Sequence, residues 1–190
     1  MNIPFSPPDI SENEISEVVD TLRSGWITTG PKTKKFEKMI KEYPGAAGCA
    51  CLNSQTACAE MTLRLLGVGE GDEVIVPAYT YTATASVVCH VGATLKMVDV
   101  APGTLEMDRA KLAEAVTDRT KVIIPVDIAG IMCDYDSIYR IVEEKKDLFR
   151  PKTDLQKAFG RIIVMADGAH SFGAVGQGVK SGNRADFTNF

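Results

Sequence analysis

The sequence has no surplus of basic residues and no long apolar run. Its 21 lysines and arginines are outnumbered by 25 aspartates and glutamates, which gives a formal net charge of −4 over 190 residues. That balance does not favour binding to nucleic acid or to an anionic membrane. No apolar run approaches the ~20 residues that span a bilayer, and Met1–Pro4 lack the features of a signal peptide. We therefore expect a cytoplasmic protein that binds neither nucleic acid nor membrane.

The cysteines and glycines also lack the spacing of a familiar binding motif. The cysteine count is odd, and the five residues lie in apolar runs: Cys49, Cys51, Cys58, Cys89 and Cys133. We expect buried free thiols in a reducing compartment. A zinc site from the first three is the alternative, although no common ligand spacing matches. The run Gly67–Gly71 follows a predicted helix and precedes a predicted strand, the reverse of the order in a dinucleotide fingerprint.

Two amphipathic helices are predicted in the N-terminal part, which we delimit at residues 1–45. The first covers Ser11–Ser24 and begins with a capping box, because a serine is followed three residues later by Glu14. The second covers Lys32–Tyr43, with its lysines on a solvated face and its apolar residues inward.

An uncharged loop joins these helices and contains the only tryptophan of the chain, Trp26, with Thr28 and Thr29. Loops with a large aromatic side chain and hydroxyl groups often contact ligands or partners. The alternative is that Trp26 packs the first helix against the core.

Residues 46–190 alternate between short apolar runs and helical patterns, which indicates a mostly parallel sheet covered by helices on both faces. The predicted strands are Gly48–Leu52, Glu73–Val76, Thr94–Val98, Val122–Val126 and Ile162–Ala166. The predicted helices are Thr56–Leu66, Thr82–His90, Asp108–Val116 and Tyr135–Glu144. The polar stretch 145–160 is predicted to be an inserted loop with a short helix. A further strand begins near Phe187, so we expect more sheet beyond it and interpret the sequence as truncated.

The apolar run before Asp167 indicates a buried strand, and the aspartate follows where that strand should end. Ligands of open α/β sheets bind just beyond the carboxyl ends of strands. His170 lies three residues further on, in a turn of small residues that allows close approach to the backbone. The alternative is structural, with Asp167 capping the turn and His170 on the surface.

Two other predicted strand ends carry groups that suit a phosphorylated aromatic ligand. Ser54 and Thr56 begin a helix, where free N–H groups can bind an anion. Tyr79 and Tyr81 follow the next strand, and either ring can stack on a flat heterocycle. A phosphate site, a stacking ring and a carboxylate are together what pyridoxal 5′-phosphate needs, since an aspartate against the pyridine nitrogen keeps that nitrogen protonated.

Four segments in this order resemble the DegT/DnrJ/EryC1/StrS family of sugar-nucleotide aminotransferases. They are Ser24–Pro31, Asn53–Thr56, Pro77–Tyr81 and Asp167–His170. The resemblance covers essentially the whole chain. It implies the large domain of the type I pyridoxal-phosphate transferase fold, a three-layer αβα sandwich truncated before its last strands and its C-terminal domain.

The resemblance also implies a role for each segment. Ser54, Gln55 and Thr56 would bind the cofactor phosphate and Tyr81 would stack on the ring. Asp167 would pair with the pyridine nitrogen, and His170 would approach the 3′-oxygen. The loop residues Trp26, Thr28 and Thr29 would bind the sugar nucleotide. The implied activity is amination of a keto sugar nucleotide by an amino-acid donor for surface polysaccharide, in a homodimer whose two subunits build each site.

Three departures from the family pattern qualify these expectations. Gln55 replaces a small residue, and the stretch 145–160 is longer than the usual connection. The Schiff-base lysine is expected beyond Phe190, because Lys180 lies in a glycine-rich turn before the last strand. The 190 residues alone are therefore predicted to be inactive. A family member with histidine instead of lysine, acting as a sugar dehydratase, and a non-catalytic binding module are the alternatives.

Overall fold

The computed structural model describes residues 7–190, so the residues Met1–Pro4 used for the targeting prediction lie outside the described part. Seven α-helices lie in this part: α1 Glu12–Ser24, α2 Pro31–Glu42, α3 Gln55–Leu65, α4 Thr82–His90, α5 Arg109–Ala115, α6 Tyr135–Glu144 and α7 Asp154–Phe159. The strands are β1 Glu73–Pro77, β2 Thr94–Val98, β3 Thr120–Ile123, β4 Ile163–Asp167, β5 Val175–Gly176, β6 Val179–Lys180 and β7 Phe187–Asn189.

Five of the strands form one parallel sheet in the order β2-β1-β3-β4-β7. The remaining two, β5 and β6, form a separate antiparallel hairpin. Parallel neighbours need crossover connections, and the helices between the strands supply them. The predicted α/β class with a mostly parallel sheet is confirmed.

Both faces of the sheet are buried, which explains why the strand sequences are apolar without alternation. Ile75, Ile123 and Val164 belong to one buried cluster, which also contains side chains of α5 and α6. Their neighbours Val74 and Val122 point the other way, into a second cluster with side chains of α3 and α4. Two helical layers therefore enclose the sheet and leave its carboxyl edge as the place where polar residues can gather.

Three predicted elements match the structure residue for residue: Thr94–Val98, Thr82–His90 and Tyr135–Glu144. The predicted strand Val122–Val126 is shifted, since β3 ends at Ile123. Pro125 has no N–H to donate to the sheet, and beyond it only an isolated bridge joins Val126 to Asp167.

The predicted strand Gly48–Leu52 is wrong, because the structure assigns no strand to these residues. The N–H of Cys51 donates to the Glu37 carboxylate at 3.0 Å instead of to a neighbouring strand. The helix start at Ser54 therefore follows a segment that is not part of the described sheet.

The predicted insertion is structured. Within 145–160 a short 3₁₀ turn, Lys146–Leu148, precedes α7, which Thr153 caps by accepting from the N–H of Gln156. The buried Gln156 side chain donates to the Leu66 carbonyl at 2.8 Å, so this segment is tied to the end of α3.

Strand β7 is joined to β4 by an ion pair at its start. The Arg161 guanidinium contacts both oxygens of Asp186 at 2.8 Å, and Asp186 also accepts from the N–H of Val164 at 2.9 Å. The Asp186 side chain is only 10% exposed, so water cannot replace these bonds freely. This carboxylate sets the register at which β7 meets the edge of the sheet.

We expect Asp186→Ala to lower the free energy of unfolding by about 2 kcal/mol, since a guanidinium and a backbone N–H lose their acceptor. Urea denaturation of the full-length protein measures the change. Glu143→Ala, which removes an exposed ion pair with Lys146, is the control and should cost about 0.5 kcal/mol or less. Equal effects of the two substitutions would contradict the anchoring role.

Candidate active site

Asp167 is the last residue of β4 and lies at the carboxyl edge of the sheet with 6% of its surface exposed. Its Oδ2 accepts a hydrogen bond from the Thr84 hydroxyl at 2.7 Å, and its Oδ1 accepts from the Ala169 N–H at 3.2 Å. Each oxygen has a further lone pair, so the carboxylate can accept from a ligand as well. The predicted position of Asp167 at a strand end is confirmed.

His170 lies in the turn after β4, and its ring is anchored by the backbone of a neighbouring loop. The Ala129 N–H donates to Nδ1 at 3.3 Å. Because an N–H can only donate, Nδ1 is the unprotonated ring nitrogen and Nε2 carries the proton. Ala129 has φ 55°, the left-handed conformation, which alanine adopts at a cost. His170 is exposed and therefore presents an N–H donor outward from the turn.

Tyr81 immediately precedes α4 and is 77% exposed. Its carbonyl accepts from the Thr84 N–H at 3.2 Å, and Thr84 in turn holds Asp167. The Tyr81 carbonyl and the Asp167 carboxylate are therefore both bonded to Thr84 in the first turn of α4, and the Tyr81 side chain is exposed. Tyr79 is also exposed, at 56%, so exposure alone does not choose between the two rings.

Ser54 caps α3, and its hydroxyl accepts from the Ala57 N–H at 3.1 Å. The first N–H groups of a helix have no acceptor within the helix, so those of Gln55 and Thr56 remain donors for an anion. Helix α3 packs on α4, β4 and β7, the elements that carry or flank Tyr81 and Asp167. The predicted helix start is thus present on a neighbouring element of the same region, and anion binding there stays a prediction.

The tryptophan loop lies between α1 and α2. Trp26 is 56% exposed, and its indole N–H donates to the Thr29 carbonyl at 3.1 Å. Thr28 and Thr29 are exposed. Among residues 7–190 no hydrogen bond joins this loop to Asp167 or His170. The alternative in which Trp26 packs against the core is not what the structure shows.

Gly30 is packed directly against the Trp26 ring. A Cβ at this position would lie 2.0 Å from the indole Nε1, although the backbone conformation itself would accept any residue. The glycine therefore allows the indole to fold back onto its own loop.

We expect Gly30→Ala to displace the Trp26 ring, break its bond to Thr29 and destabilise the loop by about 1–3 kcal/mol. The indole N–H resonance in an NMR spectrum, assigned with Trp26→Phe, should then exchange faster with solvent. Gly48→Ala is the control, because nothing lies within 4 Å of a Cβ built there. An unchanged exchange rate in Gly30→Ala would contradict the packing.

Asp127 was not singled out from the sequence, yet it is a buried carboxylate beside the site. Its Oδ1 accepts from the Cys133 N–H at 2.9 Å and from the Tyr135 hydroxyl at 3.0 Å, and its Oδ2 accepts from Ser171 at 3.2 Å. Burial raises the pKa of this carboxyl above its usual value, and the hydrogen bonds oppose that rise. With its N–H bonded to the Asp167 carbonyl, Asp127 fixes the loop that carries Ala129.

Lys180 lies in β6 rather than in a turn. Its Nζ donates to the Tyr43 carbonyl at 3.0 Å and sits 3.7 Å from the centre of the Tyr43 ring. This engagement keeps the amine at the end of the N-terminal helices.

The cysteine prediction is corrected in part. The five cysteines are free thiols, but only Cys133 is buried, whereas Cys89 is exposed. In the part of the chain that the structure describes, no group of three His, Cys, Asp or Glu side chains is arranged to hold a metal ion. None of the helices described there has the length and hydropathy of a membrane-spanning segment.

Comparison with known proteins supports the resemblance. The sequence profile of the DegT/DnrJ/EryC1/StrS aminotransferase family matches residues 8–190. Spore coat polysaccharide biosynthesis protein SpsC of Bacillus subtilis is 42% identical over 141 residues, which are 74% of this chain and 36% of SpsC. UDP-4-amino-4-deoxy-L-arabinose–oxoglutarate aminotransferase of Shewanella sediminis is 40% identical over 171 residues, 90% of this chain and 40% of that protein.

Among solved structures, Spr1654 of Streptococcus pneumoniae, described as a sugar aminotransferase, superposes with a TM-score of 0.98. It is 58% identical, and the match covers 99% of this chain and 47% of that one. Its structures include forms described as PLP-form and PMP-form. The chain spans less than half the length of these relatives.

The residues of this chain fit pyridoxal phosphate, the cofactor of the matching family. A buried carboxylate with free lone pairs suits a protonated pyridine nitrogen, an exposed tyrosine ring suits the flat heterocycle, and a capped helix start suits the phosphate. Gln55, which stands where the family has a small residue, would contribute its backbone N–H in this scheme.

Proposed function

Since this chain belongs to the DegT/DnrJ/EryC1/StrS aminotransferase family, we propose that its full-length protein is a pyridoxal-phosphate-dependent aminotransferase. It converts a keto sugar nucleotide into an amino sugar nucleotide with an amino acid as donor. The product serves the synthesis of surface polysaccharide, and the enzyme works in the cytoplasm. The names of SpsC and of the aminoarabinose enzyme support the sugar substrate and the polysaccharide role.

The observation that carries this proposal is the buried carboxylate of Asp167 at the end of a parallel strand, held on both oxygens. Pyridoxal phosphate, when bound, supplies an electron sink for carbanion chemistry. Asp167 keeps the proton on the pyridine nitrogen, because an adjacent negative charge favours the protonated form of that nitrogen.

The other site residues bind and orient the cofactor and the sugar nucleotide. The N–H groups of Gln55 and Thr56 and the hydroxyl of Ser54 bind the phosphate, and Tyr81 covers one face of the ring. His170 donates its Nε2 proton toward the 3′-oxygen, and the Ala129 N–H keeps the ring in the tautomer that can do so. Trp26, Thr28 and Thr29 bind the sugar nucleotide from the loop between α1 and α2.

We also propose that the protein is a homodimer with its site at the interface. Helix α1 has no buried residue, and its apolar side chains Ile15, Val18 and Leu22 are 46%, 60% and 64% exposed. Such a face favours association with another surface. Analytical ultracentrifugation of the full-length protein at micromolar concentration should give the dimer mass, and a monomer alone would contradict the proposal.

The experiment that tests the activity supplies the purified full-length protein with pyridoxal phosphate, ¹⁵N-labelled glutamate or glutamine, and a series of keto sugar nucleotides. Mass spectrometry should show one ¹⁵N atom incorporated into the sugar product. A product that has lost water without gaining nitrogen would overturn the proposal in favour of dehydration. Cofactor binding without turnover of any keto sugar would favour a binding module.

A further inference from the structure

Two threonines form a hydrogen-bond chain that ends on Asp167. The Thr84 hydroxyl donates to Asp167 Oδ2 at 2.7 Å, and the Thr80 and Thr84 hydroxyl oxygens are 2.8 Å apart. A hydroxyl has one proton to donate, and that of Thr84 is used on the carboxylate. Thr80 is therefore the donor to Thr84, and both protons point in the direction of Asp167.

The Thr84 end of this hydrogen-bond chain is buried, whereas Thr80 is half-buried. Thr84 is 2% exposed and lies in the first turn of α4, where its N–H bonds to the Tyr81 carbonyl. Its β-branched side chain has few rotamers in a helix. On the other side of Asp167, the Ala169 N–H holds Oδ1, and the Asp167 N–H donates to the Pro125 carbonyl at 2.8 Å. Both carboxylate oxygens and the backbone of Asp167 are thus fixed by different elements.

We propose that Thr84, supported by Thr80, is a positioning residue that orients the Asp167 carboxylate toward the pyridine nitrogen of pyridoxal phosphate. This role rests on the proposed function. A carboxylate that must meet one ring nitrogen needs its own rotamer locked, since a displacement of about 0.5 Å already weakens a functional contact. Hydrogen bonds to a charged group are stronger than hydrogen bonds between neutral groups, so one hydroxyl on Oδ2 restrains the orientation of the carboxylate effectively.

The position of Thr84 in α4 also links Asp167 to Tyr81. Tyr81 immediately precedes the helix whose first turn holds the carboxylate through Thr84. The Tyr81 backbone and the Asp167 carboxylate are therefore both bonded to the same residue in the first turn of α4. Loss of the Thr84 hydroxyl should loosen the carboxylate while leaving the sugar-binding loop at Trp26 untouched.

The test compares Thr84→Val and Thr84→Ser in the full-length protein. Thr84→Val keeps the shape but removes the donor, so we expect the dissociation constant for pyridoxal phosphate to rise about tenfold, the effect of losing a hydrogen bond to a charged group. The value of kcat should fall with it, whereas KM for the sugar nucleotide should not change. Thr84→Ser restores the hydroxyl and should return both quantities to within about threefold of the wild type.

The role of Thr80 is tested by a double-mutant cycle. Thr80→Val alone should raise the cofactor dissociation constant about threefold, because the hydroxyl chain loses its outer donor. In the Thr84→Val background the same substitution should have no further effect, since the chain is already interrupted. Ser86→Ala is the control on the same helix: its hydroxyl bonds only to carbonyls of the preceding turn, and its removal should leave binding unchanged.

Asp167→Asn separates this proposal from the proposed function. If Asp167→Asn binds and turns over like the wild type, the proposed function fails. If Asp167→Asn is impaired while Thr84→Val is not, or if Thr84→Ser is as weak as Thr84→Val, the positioning role is overturned. Thermal unfolding of each cofactor-free variant checks that it is folded. If Thr84→Val does not fold, the cofactor dissociation constants of the single variants Thr80→Val and Thr84→Ser still test the positioning role.

Discussion

Asp167→Asn in the full-length protein should lower kcat for transamination by roughly 10²–10³-fold, the size of effect that follows removal of one preorganised electrostatic contact from an active site. Asparagine has the shape of aspartate, and its amide oxygen can still accept one of the two hydrogen bonds that reach the carboxylate. It carries no negative charge, however, so it cannot keep the pyridine nitrogen protonated. Steady-state kinetics with a keto sugar nucleotide and glutamate measures the loss.

Asp154→Asn provides the matched control, because that carboxylate is 98% exposed on α7 and the same chemical change there should leave kcat unaltered. Thermal unfolding of the cofactor-free proteins shows whether Asp167→Asn is folded. A folded Asp167→Asn protein with wild-type kcat would show that Asp167 has a structural role only.

The second large effect is expected on stability at Asp127. Asp127→Ala should lower the free energy of unfolding by about 3 kcal/mol, because the Cys133 N–H and the Tyr135 hydroxyl lose their buried acceptor. Asp127→Asn should cost about 1 kcal/mol or less. Its amide oxygen can accept from both groups, and its NH₂ can donate to Ser171, which is free to donate to the Gly168 carbonyl.

The pH dependence of the free energy of unfolding separates the effect of the Asp127 charge from the effect of its shape. Burial raises the pKa of this carboxyl in the folded state, so the folded protein binds a proton more tightly than the unfolded chain does. The resulting contribution to stability is complete below the unfolded pKa and is lost as the pH rises through the folded pKa. Asparagine does not titrate, so Asp127→Asn should gain stability relative to the wild type as the pH rises above the unfolded-state pKa of about 3.9.

Urea denaturation of wild type, Asp127→Asn and Asp127→Ala between pH 4 and pH 8 measures both effects. A stability difference between wild type and Asp127→Asn that stays constant over this range would contradict the raised pKa. Equal losses in the alanine and asparagine variants would contradict the hydrogen-bond arrangement.

Local patterns explain why much of this fold could be predicted from the sequence. Ser11 and Glu14 form the predicted capping box, so the start of α1 follows from neighbouring residues alone. The apolar run before Asp167 indicates a strand covered on both faces, and the aspartate then marks the sheet edge. These signals are contained within a few residues and do not depend on the rest of the chain.

The features that could not be predicted depend on contacts between residues that are distant in the sequence. Gly48–Leu52 has the composition of a strand, but a strand needs a neighbour, and Cys51 bonds to Glu37 instead. Thr84 reaches Asp167 across 83 positions of sequence, so no local pattern indicates that pair. A hydroxyl residue in the first turn after a candidate stacking ring is the only sequence signal that could have suggested it.

The most direct measurement of the central claim is a crystal structure of the full-length protein with bound pyridoxal phosphate. The account predicts an Asp167 carboxylate oxygen within about 2.7–2.9 Å of the pyridine nitrogen, the length of a charge-assisted hydrogen bond, with Thr84 still bonded to Oδ2. A cofactor bound elsewhere, or a pyridine nitrogen paired with another residue while Asp167 contacts only Thr84 and Ala169, would contradict it.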